Sequence, residues 1–168
     1  KLPDTVNIMI EEESVVYAIK SSDGQWWMMD SDGRVVEQAN NAKAATATQV
    51  LGVTLEAPTV NEKGIATEMT PSETNELGEL IPVTTTGAQR LTAALQILKA
   101  LENNDIVGEA ASVDVTSTED IILWYGTRYQ VNLGDTSRLD YKVDCMNDAI
   151  LQMSDYQSGV LDISFTTW

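Results

Sequence analysis

The sequence contains no histidine. That absence excludes Ser-His and Cys-His nucleophile pairs, His-ligated zinc and the usual general base near neutral pH. Cys145 is the single cysteine, which excludes an internal disulfide and a cysteine-rich metal site. No basic residue adjoins Cys145 to lower its pKa, so it reads as an inert small side chain. Basic residues are scarce as well: 10 Lys and Arg stand against 26 Asp and Glu in 168 residues, a formal charge of −16. Both halves share the imbalance, with 5 basic and 14 acidic side chains in residues 1–84 and 5 and 12 in residues 85–168. Such a surface repels phosphate backbones and anionic headgroups, which argues against nucleic acid or anionic lipid as a direct partner.

Long apolar runs are missing too. None is longer than Ile121-Ile122-Leu123-Trp124-Tyr125, far short of the ~20 residues that cross a bilayer. The closest glycines, Gly126 and Gly134, are eight residues apart, so neither a P-loop nor a dinucleotide fingerprint exists. No Ser has Lys three residues later, and no G-x-S-x-G elbow is present. Paired carboxylates suffice for glycoside hydrolysis, but 26 acids make close pairs by chance and no spacing stands out. Asp30-Ser31-Asp32-Gly33 fails as a calcium loop: aligning Gly33 puts Met28 and Ala39 where the first and last ligands belong. No cofactor or metal is expected.

With 43% apolar and 21% charged residues, the chain has the composition of a folded domain. Val6, Ile8 and Ile10 share one parity and Val15, Tyr17 and Ile19 another, with a break at Glu11-Glu12-Glu13 that suggests a bulge. Ser22-Asp23-Gly24 and Ser31-Asp32-Gly33 then bracket Gln25-Trp26-Trp27-Met28-Met29, which predicts a meander. Residues 38–48 read as a connector, 50–57 as extended, and 61–81 as a polar surface loop. Thr86-x-x-Gln89 is a capping-box pattern opening an amphipathic helix with Leu91, Ala94, Leu95, Leu98 and Leu101 on one stripe.

Residues 112–116, 121–125 and 129–133 read as three strands. A second helix follows a cap at Asp135 or Ser137, its apolar positions Leu139, Val143, Met146, Ile150 and Met153 spaced 4, 3, 4, 3. A last strand spans residues 160–168, with Leu161, Ile163 and Phe165 on one parity and Asp162, Ser164, Thr166 and Trp168 on the other. This order predicts an α+β fold: a mainly antiparallel sheet of meander strands with two amphipathic helices on one face. An edge strand also offers unpaired backbone groups to another chain, although an ordinary closing strand fits the pattern better. The aromatics Trp26, Trp27, Trp124 and Tyr125 fit core packing, or a stacking platform in a secreted carbohydrate- or ligand-binding module.

Several stretches together resemble the extracytoplasmic β-domain of the bacterial division protein family FtsQ/DivIB. They are Tyr129-Gln130-Val131-Asn132-Leu133-Gly134, Leu139-Asp140-Tyr141-Lys142-Val143, Ala149-Ile150-Leu151, and Gly159-Val160-Leu161-Asp162-Ile163-Ser164-Phe165. Upstream, residues 2–12 are similar to the last strand of that family's POTRA domain, and residues 27–36, with Asp30 and Gly33, to its entry into the β-domain. The resemblance implies a division into residues 1–22, a POTRA remnant, and residues 23–168, the β-domain. It implies a non-enzymatic scaffold of the divisome on the extracytoplasmic side of the membrane at the septum, holding FtsB/DivIC- and FtsL-type partners. The sequence begins at Lys1 without an initiator Met, so it reads as a piece whose single-pass anchor lies elsewhere. Family members add a partner strand near the C-terminus. By motif, Val160, Asp162, Ser164, Phe165, Thr166 and Trp168 would supply the contact. Lys142 and Arg138 are the nearest cations for an acidic partner segment, Lys142 being otherwise a solvated charge on the helix.

Overall fold

The computed structural model describes residues 15–68, 78 and 85–164. It forms one eight-stranded sheet in the order β3-β2-β1-β4-β5-β6-β7-β8. The strands are β1 (Tyr17–Ser21), β2 (Trp26–Met29), β3 (Val35–Ala39), β4 (Gln49–Leu55), β5 (Ala110–Asp114), β6 (Ile121–Tyr125), β7 (Tyr129–Gly134) and β8 (Gly159–Asp162). Four neighbouring pairs are antiparallel and three are parallel (β1 with β4, β4 with β5, β7 with β8). The expected α+β class and the two meanders are therefore present, joined through β4.

Local sequence explains the hairpins. Gly24 and Gly33 both sit at φ +83°, a conformation that costs a glycine little, and each turn is further fixed by an aspartate. Asp23 accepts from Ser21 Oγ, and Asp30 Oδ1 accepts from the N–H groups of Asp32 and Arg34 at 3.0 and 2.8 Å.

Two longer helices cover one face. In α2 (Gly87–Asn103) the capping box forms as the sequence predicts: Gln89 N–H donates to Thr86 Oγ1 and Thr86 N–H to Gln89 Oε1. Its buried Leu91, Ala94, Ile97, Leu98 and Leu101 share one core with Val143, Met146 and Ile150 of α3 (Leu139–Leu151) and with Val50, Val113, Leu123 and Val131 of the sheet. Each such aliphatic side chain, fully buried, contributes roughly 1.5–3 kcal/mol. Tyr17, from β1, donates to Glu102 Oε1 at 2.8 Å, and Ser31 donates to Glu102 Oε2, so the end of α2 is fastened to the first meander. Burial first, then the Glu102 carboxylate, pushes the Tyr17 hydroxyl far up, keeping it a proton donor.

Several expectations are corrected. The connector 38–48 contains a short helix, α1 (Asn41–Ala44), capped by Asn40 and packed with Ala18, Met28 and Ala39 on the opposite face of the sheet. Neither Asp135 nor Ser137 caps α3; Arg138 stands at that position in the left-handed region, φ 52°, with no side-chain cap. Asp135 instead turns its carboxylate onto Ser137 and Lys142. The last strand runs Gly159–Asp162, without Ile163 and Ser164, and residues 165–168 of the expected strand lie outside the described residues. Apart from these corrections, β1, which falls within the stretch 1–22 that the resemblance sets apart, lies between β2 and β4 in this sheet. The strand expected over residues 2–12 and the bulge at Glu11-Glu12-Glu13 fall outside the described residues.

Candidate functional site

An eight-stranded open sheet has two edges, and the chain treats them differently. The outer edge of β3 is covered at its start, over Gly33–Val35. Val35 N–H donates to the carbonyl of Glu62 and Asn61 N–H to that of Val35, both at 2.8 Å, while Gly64 N–H reaches the carbonyl of Gly33. Arg34 Nη1 adds a bond to the Asn61 carbonyl at 2.8 Å. Residues 61–64 are thus part of a strand-edge cover and not simply a surface loop. Covering an edge is how soluble proteins keep it from pairing with other chains.

The edge at β8 carries no such cover among the described residues. Gly159 N–H donates to the Arg128 carbonyl and Ile163 N–H to that of Asn132, both at 3.0 Å. In a parallel ladder the backbone direction alternates, so Gly159, Leu161 and Ile163 face β7 while Val160, Asp162 and Ser164 turn their N–H and carbonyl groups outward. Val160 is 63% exposed, and the side chains of Leu161 and Ile163 pack into the core. Ser164 is already engaged: its N–H and Oγ both donate to Asp162 Oδ1, at 3.0 and 2.6 Å. These bonds hold the Asp162 carboxyl below its ordinary range. Val160 and Asp162 therefore present the open backbone groups.

Beneath the end of this strand lies Gly134, at φ +66°. A Cβ there would stand 2.8 Å from Ser164 Cβ, so the close approach itself requires glycine.

The sequence-derived site residues divide into three groups. Val160, Asp162 and Ser164 come together on the open edge. Phe165, Thr166 and Trp168 lie outside the described residues. Lys142 and Arg138 do not form a cationic patch beside them. Lys142 is buried, contrary to a solvated charge, and its Nζ donates at 2.9 Å both to Asp135 Oδ1 and to the Asp135 carbonyl. Hydrogen bonds from Ser137, then from Lys142, hold the Asp135 carboxyl down to about 2. Arg138 is exposed, its guanidinium 4.5 Å above the Tyr141 ring.

The aromatics separate as well. Trp27 and Tyr125 pack on the helix side, whereas Trp26 and Trp124 lie on the other face. Four strand steps part those two, roughly 19 Å at the usual ~4.8 Å spacing. Lys20 covers Trp26 at 4.9 Å from its ring centroid, and Trp124 stands 39% exposed between Ser112 and Gln130. They form no paired platform.

Two functional details escaped sequence reading: the cover at 61–64 and the Asp162–Ser164 contact. The second has a local signal, since Asp-x-Ser also occurs at 135–137 with the same carboxylate-to-serine bonding. Comparison of the chain with protein-family models, curated proteins and solved structures returns no match.

Proposed function

We propose that this domain is a non-enzymatic scaffold that binds an extended partner segment along β8, in the manner of the FtsQ/DivIB family its C-terminal motifs resemble. The partners on this reading are FtsB/DivIC- and FtsL-type proteins, met outside the membrane at the division septum. One observation carries the proposal: among the described residues, Val160 and Asp162 turn open backbone groups outward from β8, while the start of the opposite edge, at Gly33–Val35, is covered by residues 61–64. A glycan module has less support, with Trp26 and Trp124 four strands apart.

The test is calorimetric titration of the chain with the extracytoplasmic segment of an FtsB/DivIC-type protein, repeated with Val160→Pro. Proline at 160 deletes an outward N–H and leaves the Gly159, Leu161 and Ile163 bonds to β7 in place. Saturable binding by the wild type, lost in the folded variant, is the expected result. Undiminished binding by Val160→Pro moves the contact elsewhere, and no binding by the wild type overturns the partner assignment.

A further inference from the structure

Family resemblance directs attention to cations facing an acidic partner, but the geometry of the β8 edge has the opposite polarity. Lys142 is enclosed and paired with Asp135. Arg128 precedes β7, with its guanidinium 5.1 Å over the inward-facing Tyr129 ring and bonded to the Asp155 carbonyl at 2.7 Å. On the open face, register places Val160 beside Gln130, then Trp124, Ser112 and Gln49. It places Asp162 beside Asn132, then Ile122, Asp114 and Leu51. Among the described strand residues from β4 to β8, that face carries two charges, Asp114 and Asp162, and both are negative. The chain as a whole carries −16.

We infer that the segment β8 accepts is an extended strand with an apolar side chain opposite Val160 and a Lys or Arg two positions away, opposite Asp162. This inference rests on the strand-addition reading and specifies its partner. Directly opposed side chains on adjacent strands lie about 4.5–5.5 Å apart at Cβ, close enough for an aliphatic pair and an ion pair to act together. A cation opposite Asp162 meets the side chain that also ends the open edge at Ser164, so one residue sets both charge preference and register. An acidic residue at that position meets Asp162 with like charge, and among the described strand residues no cation lies within one strand step on that face.

The probes are two capped synthetic peptides, Thr-Lys-Thr-Val-Thr-Lys-Thr and the same sequence with Glu for both Lys. Their symmetry lets either strand direction place Val at Val160 and the charge at Asp162. Binding is followed by the amide resonances of residues 159–163 in the full chain. The Lys peptide is expected to half-saturate at a concentration about two- to ten-fold lower than the Glu peptide. In Asp162→Asn, which keeps an oxygen for the Ser164 contact, that preference should fall below two-fold. A preference unchanged in Asp162→Asn comes from overall charge and overturns the inference. Equal binding of both peptides overturns the inference while leaving strand addition intact. No saturable shift with either peptide overturns both.

Discussion

Asp135 and Lys142 make a sharp test of how charge is held in this fold. The perturbation is Asp135→Asn, which removes the negative charge while leaving an oxygen for the Ser137 N–H. The Lys142 side chain is 0% exposed and that of Asp135 58%, with Nζ and Oδ1 2.9 Å apart. At that distance Coulomb's law gives about 1.4 kcal/mol with the dielectric of water and about 6 with an effective value of 20. Because Asp135 is more than half in solvent, the lower part of that range applies, and the Asp135 carbonyl still accepts from Lys142 after the change. A loss of about 2 kcal/mol is expected, or a fall in Tm of about 4–8 °C for a chain of this size. Lys142→Met removes the buried cation and keeps its volume. It should cost less than about 1 kcal/mol, and should cancel most of the Asp135→Asn loss in the double variant. Urea unfolding followed by tryptophan fluorescence measures all three. If Lys142→Met costs as much as Asp135→Asn and the double variant adds the two, Lys142 is not a buried cation dependent on Asp135.

Acid should expose the same contact from the other side. The Asp135 carboxyl is lowered to about 2 in the folded chain and returns to about 3.9 when unfolded, so its contribution is present above pH ~4 and fades as pH falls toward 2. Thermal melts between pH 5 and 2 should show that slope reduced in Asp135→Asn. Tyr129 is buried and its hydroxyl has no partner among the described residues, so Tyr129→Phe should raise stability by about 1 kcal/mol in chemical unfolding. Gly134→Ala forces a left-handed residue against Ser164 and should cost about 1–3 kcal/mol, with amide exchange quickened first at Leu161 and Ile163.

What could be read from the sequence was local. Thr86 and Gln89 are three residues apart and satisfy each other whatever the rest of the chain does. The Asp-Gly turns and the strand-like runs at 121–125 and 129–133 likewise needed no distant partner. The parallel pairing of β1 with β4 joins segments separated by a meander and α1, and no periodicity encodes it. Lys142 looked exposed because a charge beside an apolar stripe usually is. Only the turn at 135–138 brings an acceptor pair to its Nζ. The cover at 61–64 acts through backbone groups, so its polar side chains read as loop. At the candidate site, the parity of Val160, Asp162 and Ser164 was legible, but the contrast between a covered and an open edge was not.

The position of β4 has a further consequence, for the order in which the chain assembles. Each meander closes through short turns, and hairpins of that kind form in microseconds. By contrast, β4 pairs in parallel on both sides and shares only Gln49–Leu51 with β5, so it depends on segments that must first be brought together. The sheet is in effect two prefabricated halves with a keystone. Val50→Ala, which thins that keystone, should speed unfolding more than it slows folding. In the finished fold the β4–β5 pairing, three residues long, is the shortest in the sheet, and it lies well away from the edge that β8 offers to other chains.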